Sequence, residues 1–134
     1  MSLPASLSSS QMLYIREPLG LAQLRRALLR DADLCGADLT GANLSRANLR
    51  HADLSQAQLE SALFDEADLS GANLEGVNVP GARLARSKLI GANFANASLQ
   101  EANLDAADLT QADFSNADLS GSLMTNALLV DTDL

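Results

Sequence analysis

The chain has 134 residues, enough for one domain with a buried core, yet it contains no Trp, one Tyr (Tyr14) and three Phe. Its interior must therefore be filled by something regular and aliphatic. The formal charge of −8 disfavours nucleic acid and favours basic protein surfaces. The bases are few and not interleaved with aromatics, which argues against direct nucleic-acid binding. The charge is also uneven, −1 over residues 1–88 and −7 over residues 89–134, where there is no Lys or Arg.

The single cysteine, Cys35, excludes an internal disulfide and suits a reducing compartment. No stretch approaches the ~18 apolar residues of a membrane helix. Residues 1–20 have neither the basic nor the apolar region of a secretory signal. The expectation is a cytoplasmic protein without a membrane partner.

Residues 1–21 read as an N-terminal tail or cap. Ser8 and Gln11 have capping-box spacing ahead of Met12, Leu13 and Ile15, and Pro18 stops the run, which predicts a short helix or irregular cap. Residues 20–30 admit two readings. Leu21, Leu24 and Leu28 suit a helix, whereas Ala22 with Leu24 and Ala27 with Leu29 suit a five-residue repeat; the balance leans to the repeat.

From Ala22 the chain divides into fives without a slip to Leu134. Of 23 central residues, 18 are Leu; the others are Phe64, Val79, Phe94, Phe114 and Met124. Two residues earlier stands Ala in 19 of the 23 units, the exceptions being Val77, Ser87, Ser122 and Thr132. Between them is Asp or Asn in 14 units. Five residues on a helix advance ~140°, which would spread the leucines around every face. A straight strand would put successive leucines on opposite faces. The chain must therefore turn once per unit, with Ala and the central residue inward and the residue between them outward.

Seven of the eight glycines fall two residues after a centre, as do Asn96, Asn116 and Asn126. These residues tolerate the positive φ that the second central position of a type II turn requires. Val79-Pro80-Gly81-Ala82 has the preferred Pro-Gly pair for that turn.

Over residues 22–134 the sequence resembles the pentapeptide-repeat family, whose pattern is A(D/N)LXX. The resemblance implies an all-β fold, a right-handed quadrilateral β-solenoid of about 5–6 coils with four units per coil. Residues 20 apart would then stack at the ~4.8 Å strand spacing. Phe94 and Phe114 would be neighbours on one inner face, with Phe64 on the opposite one.

Little here suits catalysis, a cofactor or a metal. His51 would neighbour Asp31 and Gly71, and a His51–Asp31 contact reads as a surface ion pair. Cys35 points outward with no His stacked on it, so no converging ligands or nucleophile–base pair form. The candidate surfaces are two. Leu123, Leu128, Val130 and Leu134 are apolar in the last coil, the first three at outward positions, and suggest a homodimer through that end. An acidic face is expected from Asp33, Asp53, Asp108, Asp113, Asp118 and Asp133, although Asp at these positions also serves the turn backbone.

The favoured function is a non-catalytic protein-interaction or scaffold module. The alternative is a DNA mimic, because one branch of the family resembles B-form DNA in shape and charge and binds DNA gyrase, conferring quinolone resistance.

Overall fold

The computed structural model describes residues 23–134. The capping box at Ser8 and the rest of the segment expected over residues 1–21 lie outside the described residues. From Gln23 onward the ambiguity over residues 20–30 resolves in favour of the repeat. Gln23 bridges Asn43, Leu28 bridges Asn48, and Arg26 already has the turn conformation at φ 59°.

All ladders are parallel and join residues 20 apart. They define four faces, named here by their outward residues. The first face carries Gln23, Asn43, Leu63, Arg83, Asn103 and Leu123. The second carries Leu28, Asn48, Asp68, Lys88, Asp108 and Leu128. The third carries Asp33, Asp53, Asn73, Asn93, Asp113 and Asp133. The fourth carries Asp38, Gln58, Asn78, Ser98 and Asp118. Each corner takes its name from the face it follows.

The turn expected between units recurs along the whole rod. A hydrogen bond runs from each inward Ala amide back to the preceding centre, as from Ala82 N to Val79 O at 3.0 Å. The second turn residue has φ between 53° and 71° throughout, in fifteen non-glycine residues as well as seven glycines. Arg, Glu, Gln, Ser and His take this left-handed conformation beside the expected Gly and Asn, at about 1–2 kcal/mol each. The ladders on both sides fix those corners, so unfavourable local geometry is overridden by periodic pairing.

The role of the outward Asp or Asn emerges from counting the amides of one unit, Ala92–Asn96. Ala92 N donates to Leu89 O at 3.0 Å, Asn93 N to Ala72 O at 2.9 Å, Phe94 N to Asp113 O at 2.7 Å and Asn96 N to Ser115 O at 2.9 Å. The fifth amide, Ala95 N, has no backbone acceptor and donates to Asn93 Oδ1 at 2.9 Å. Twelve of the 14 Asp and Asn residues at this position make the bond. Asn78 does not, because the residue two further on is Pro80, which has no N–H. A net ~1 kcal/mol per bond makes the residue type structural as well as acidic.

Inside, Ala and Leu alternate in layers that are almost fully buried from Leu24 to Phe114. Each buried centre contributes about 1.5–3 kcal/mol. The Phe94 and Phe114 rings stack in adjacent coils under the third face, with centroids 5.0 Å apart, while Phe64 lies under the opposite, first face. Ser87, at an inward Ala position, is buried, and its hydroxyl donates to Leu84 O at 2.6 Å. Beyond Phe114 burial falls, and Ala117, Leu119, Met124 and Ala127 are only partly covered.

Candidate interaction surface

The four-sided register sorts the charges around the rod as well as along it. Asp33, Asp53, Asp113 and Asp133 project from the third face and Glu75 from its corner. Asp38 and Asp118 project from the fourth face, Glu60 and Glu101 from its corner. These nine carboxylates occupy half the perimeter, and among the described residues no Lys or Arg stands with them. The eight described bases all lie on the first two faces and their corners, together with seven carboxylates.

The ion pairs follow the same division. Arg30–Asp31 (3.3 Å), Arg46–Glu66 (3.0 Å), Arg50–Asp68 (3.5 Å) and Arg83–Asp65 (2.8 Å) all lie on the mixed half. The acidic half has none among the described residues. Three of its carboxylates are held ionised by local donors instead. The Ser115 hydroxyl, 2.6 Å from Asp113 Oδ1, and then the Ser115 amide hold Asp113 below the ordinary aspartate value. Thr40 acts likewise on Asp38, and Ser120, with a smaller effect from Gln100, on Asp118. The turn engages Oδ1 of each of these carboxylates, and Asp118 Oδ2 also accepts from Gln100 Nε2 at 2.7 Å.

Two asparagines relieve crowding on the third face. Asn73 Nδ2 donates to Asp53 Oδ1 at 3.3 Å, and Asn93 Nδ2 to Asn73 Oδ1 at 3.2 Å. The carboxylates of Asp53 and Asp113 are thus kept three coils, ~14 Å, apart.

Of the acidic residues singled out from sequence, Asp33, Asp53, Asp113 and Asp133 share the third face, Asp118 lies on the adjoining fourth, and Asp108 lies on the second. Asp38, Glu60, Glu75 and Glu101 complete the acidic half. Reading the chain modulo 20 would have found them. His51 does not face Asp31: its ring lies over Gly71, while Asp31 pairs with Arg30. Cys35 is half-buried, with the Ser55 hydroxyl 3.5 Å from its sulfur. Among the described residues no group of three or more His, Cys, Asp or Glu could hold a metal ion, and no helix is long and apolar enough to cross a membrane.

Leu123, Leu128, Val130 and Leu134 are 59%, 55%, 57% and 62% exposed. They lie on the first face, the second face, its corner and the last central position respectively. Leu129 joins them at 44%. Its inward position had concealed it in the sequence.

The pentapeptide-repeat family model, in eight copies, matches residues 19–56, 42–79, 81–116 and 112–134. The chain belongs to the pentapeptide-repeat family. A crystal structure of a pentapeptide-repeat protein, Rfr23, from the cyanobacterium Cyanothece 51142 is 38% identical, with a TM-score of 0.65 over 74% of this chain and 65% of that one. A pentapeptide-repeat protein from the Arabidopsis thaliana thylakoid lumen is 32% identical, with a TM-score of 0.68 over 79% of this chain and 70% of that one. QnrB1, a plasmid-mediated fluoroquinolone resistance protein, shares the fold at a TM-score of 0.68 and 19% identity, over 84% of this chain and 64% of that one. No curated protein matches the sequence.

Proposed function

We propose that this pentapeptide-repeat chain is a non-catalytic interaction module, a rod of about 5–6 coils whose third and fourth faces engage a basic surface on a partner protein. The observation that carries this reading is the half-perimeter of nine carboxylates without a base. Low-charge-density surfaces attract weakly, but one sign gathered on one side steers encounter and fixes orientation. The exposed apolar residues of the last coil support a second element, a two-fold dimer through that end.

An oligo-arginine peptide titrated into the labelled protein tests the reading. Shifts should cluster on the third and fourth faces, weaken with salt, and diminish in Asp113→Asn/Asp118→Asn but not in Asp108→Asn. Shifts spread evenly around the rod would sink it.

A rod charged on one side also suits the groove of a DNA-binding enzyme, which supports DNA gyrase as the alternative partner. Supercoiling by gyrase, titrated with the protein at low and moderate salt, separates the two. Inhibition that weakens with salt and is lost in the Asp113→Asn/Asp118→Asn protein supports mimicry of DNA. Undiminished supercoiling at tens of micromolar removes gyrase and leaves the broader reading.

A further inference from the structure

The mixed half of the rod carries a second surface of different chemistry. At the first corner the first turn residues are short, namely Ser45, Asp65, Ala85 and Asp105, while long side chains rise on either side. The result is an open groove of about 530 Å³ running along the axis from Asn43 to Asn103. Arg83 and Leu63 form the wall on the first face, and Arg46, Glu66 and Arg86 form the other wall. Arg25 closes the end nearest the N-terminus.

The groove's charges fall into an order. In the middle, Arg46 pairs with Glu66 through two contacts of 3.0 and 3.3 Å, and Arg83 pairs with Asp65 at 2.8 Å. These pairs cancel. Arg25 stands at one end and Arg86 beyond the pairs, neither with a carboxylate in contact among the described residues, and Asp105 lies one coil past Arg86. Their fields nevertheless reach the middle, since after the Arg46 hydrogen bond and charge, Arg86 and Arg25 also lower Glu66. The order along the axis is cation, neutral pairs, cation, and then the Asp105 carboxylate at the far end.

Arg25 and Arg86 stand three coils apart, about 14 Å at the parallel-strand spacing. In an extended peptide, residues i and i+4 share one face and are ~13 Å apart. Residue i+2 points the same way, toward the level of half-buried Leu63. A polyanion with unbroken charge would meet Glu66 and Asp65 in the middle of the groove. A segment charged only at its ends would not.

We propose that this groove binds an extended acidic segment of a partner protein, with carboxylates four residues apart and an apolar residue midway. Arginine forks receive the two carboxylates, and Leu63 receives the apolar side chain. The site is separate from the acidic half, so one surface can fail while the other stands.

The probe is a capped peptide containing Glu-Ser-Leu-Ser-Glu, titrated into the full chain and followed by amide shifts. Shifts should centre on Arg25, Leu63, Ala85 and Arg86. Affinity should fall about tenfold or more in Arg25→Gln/Arg86→Gln, whose side chains are exposed, and stay unchanged in Asp113→Asn. The same loss is expected for a peptide with both glutamates changed to glutamine. A smaller loss is expected when the glutamates are made adjacent, because one end of the groove remains served. Equal binding by the glutamine peptide, or by the doubly substituted protein, would overturn the proposal. So would a short single-stranded oligonucleotide that occupies the groove more tightly than the peptide.

Discussion

The rings of Phe94 and Phe114 lie face to face in adjacent coils, 4° from parallel. The ladder Asn93–Asp113 above them fixes that alignment, because residues 20 apart are held directly over one another. With centroids 5.0 Å apart, the pair falls within the range of favourable stacked aromatics. Its parallel orientation is set by the solenoid.

Truncation of either ring should therefore cost heavily. Phe94→Ala and Phe114→Ala are each expected to lose about 3–5 kcal/mol in denaturant unfolding. The double variant should lose less than the sum, by about 0.5–1.5 kcal/mol, if the rings interact directly. Strict additivity would show that each ring is held by its aliphatic neighbours alone.

The left-handed corners give a second set. Ala106, at φ 56°, should gain about 1 kcal/mol on replacement by glycine. Gly36→Ala meets open space and should lose only the conformational preference, about 1–2 kcal/mol. Gly71→Ala must also displace the His51 ring and should lose more. Combined with His51→Ala, it should fall back to the Gly36→Ala value. Equal losses at Gly36 and Gly71 from the start would mean that the ring moves aside freely.

Most of the core was legible in the sequence because inward positions repeat every five residues and nearly all hold Ala or a large apolar residue. The turn at Gly81 followed from turn chemistry, and the Phe pair from the four-unit coil that the resemblance to the family implies. The surface was harder. Asp108 and Asp113 sit in consecutive units and look equivalent within the repeat, yet they lie on different faces. Of the two neighbours expected for His51, Asp31 and Gly71, the ring takes Gly71, because a side chain at a corner chooses its neighbour by space and the glycine leaves it. Leu129 escaped because burial at a repeat position requires a coil on both sides.

Acid should weaken the fold through its turns. The Ser115 and Ser120 hydroxyls hold Asp113 and Asp118 below the ordinary 3.8, so each binds its proton more tightly when the chain unfolds. Their stabilisation is whole above about pH 4 and is lost as pH falls from there through the folded values. Asp113→Asn/Asp118→Asn keeps the turn acceptors and removes the titration. Its melting temperature should decline less steeply below pH ~4 than that of the parent. Parallel declines would assign acid sensitivity to other groups.

The apolar end can be separated from the stability of the rod. Leu123→Asn and Leu128→Asn each place an acceptor where the amides of Thr125 and Val130 can use it, as in twelve other units. The double variant should keep or raise its melting temperature while losing self-association in sedimentation velocity. A dimer that persists would locate the contact elsewhere.

Because one unit is a quarter of a coil, the rod separates what a residue is buried against from where its neighbours look. Inserting five residues of the repeat would preserve every inward contact type and swing the entire downstream surface by ninety degrees. Inserting twenty would lengthen the rod and restore the bearing. Evolution can thus re-aim a charged flank by small duplications, with the interior indifferent to the change.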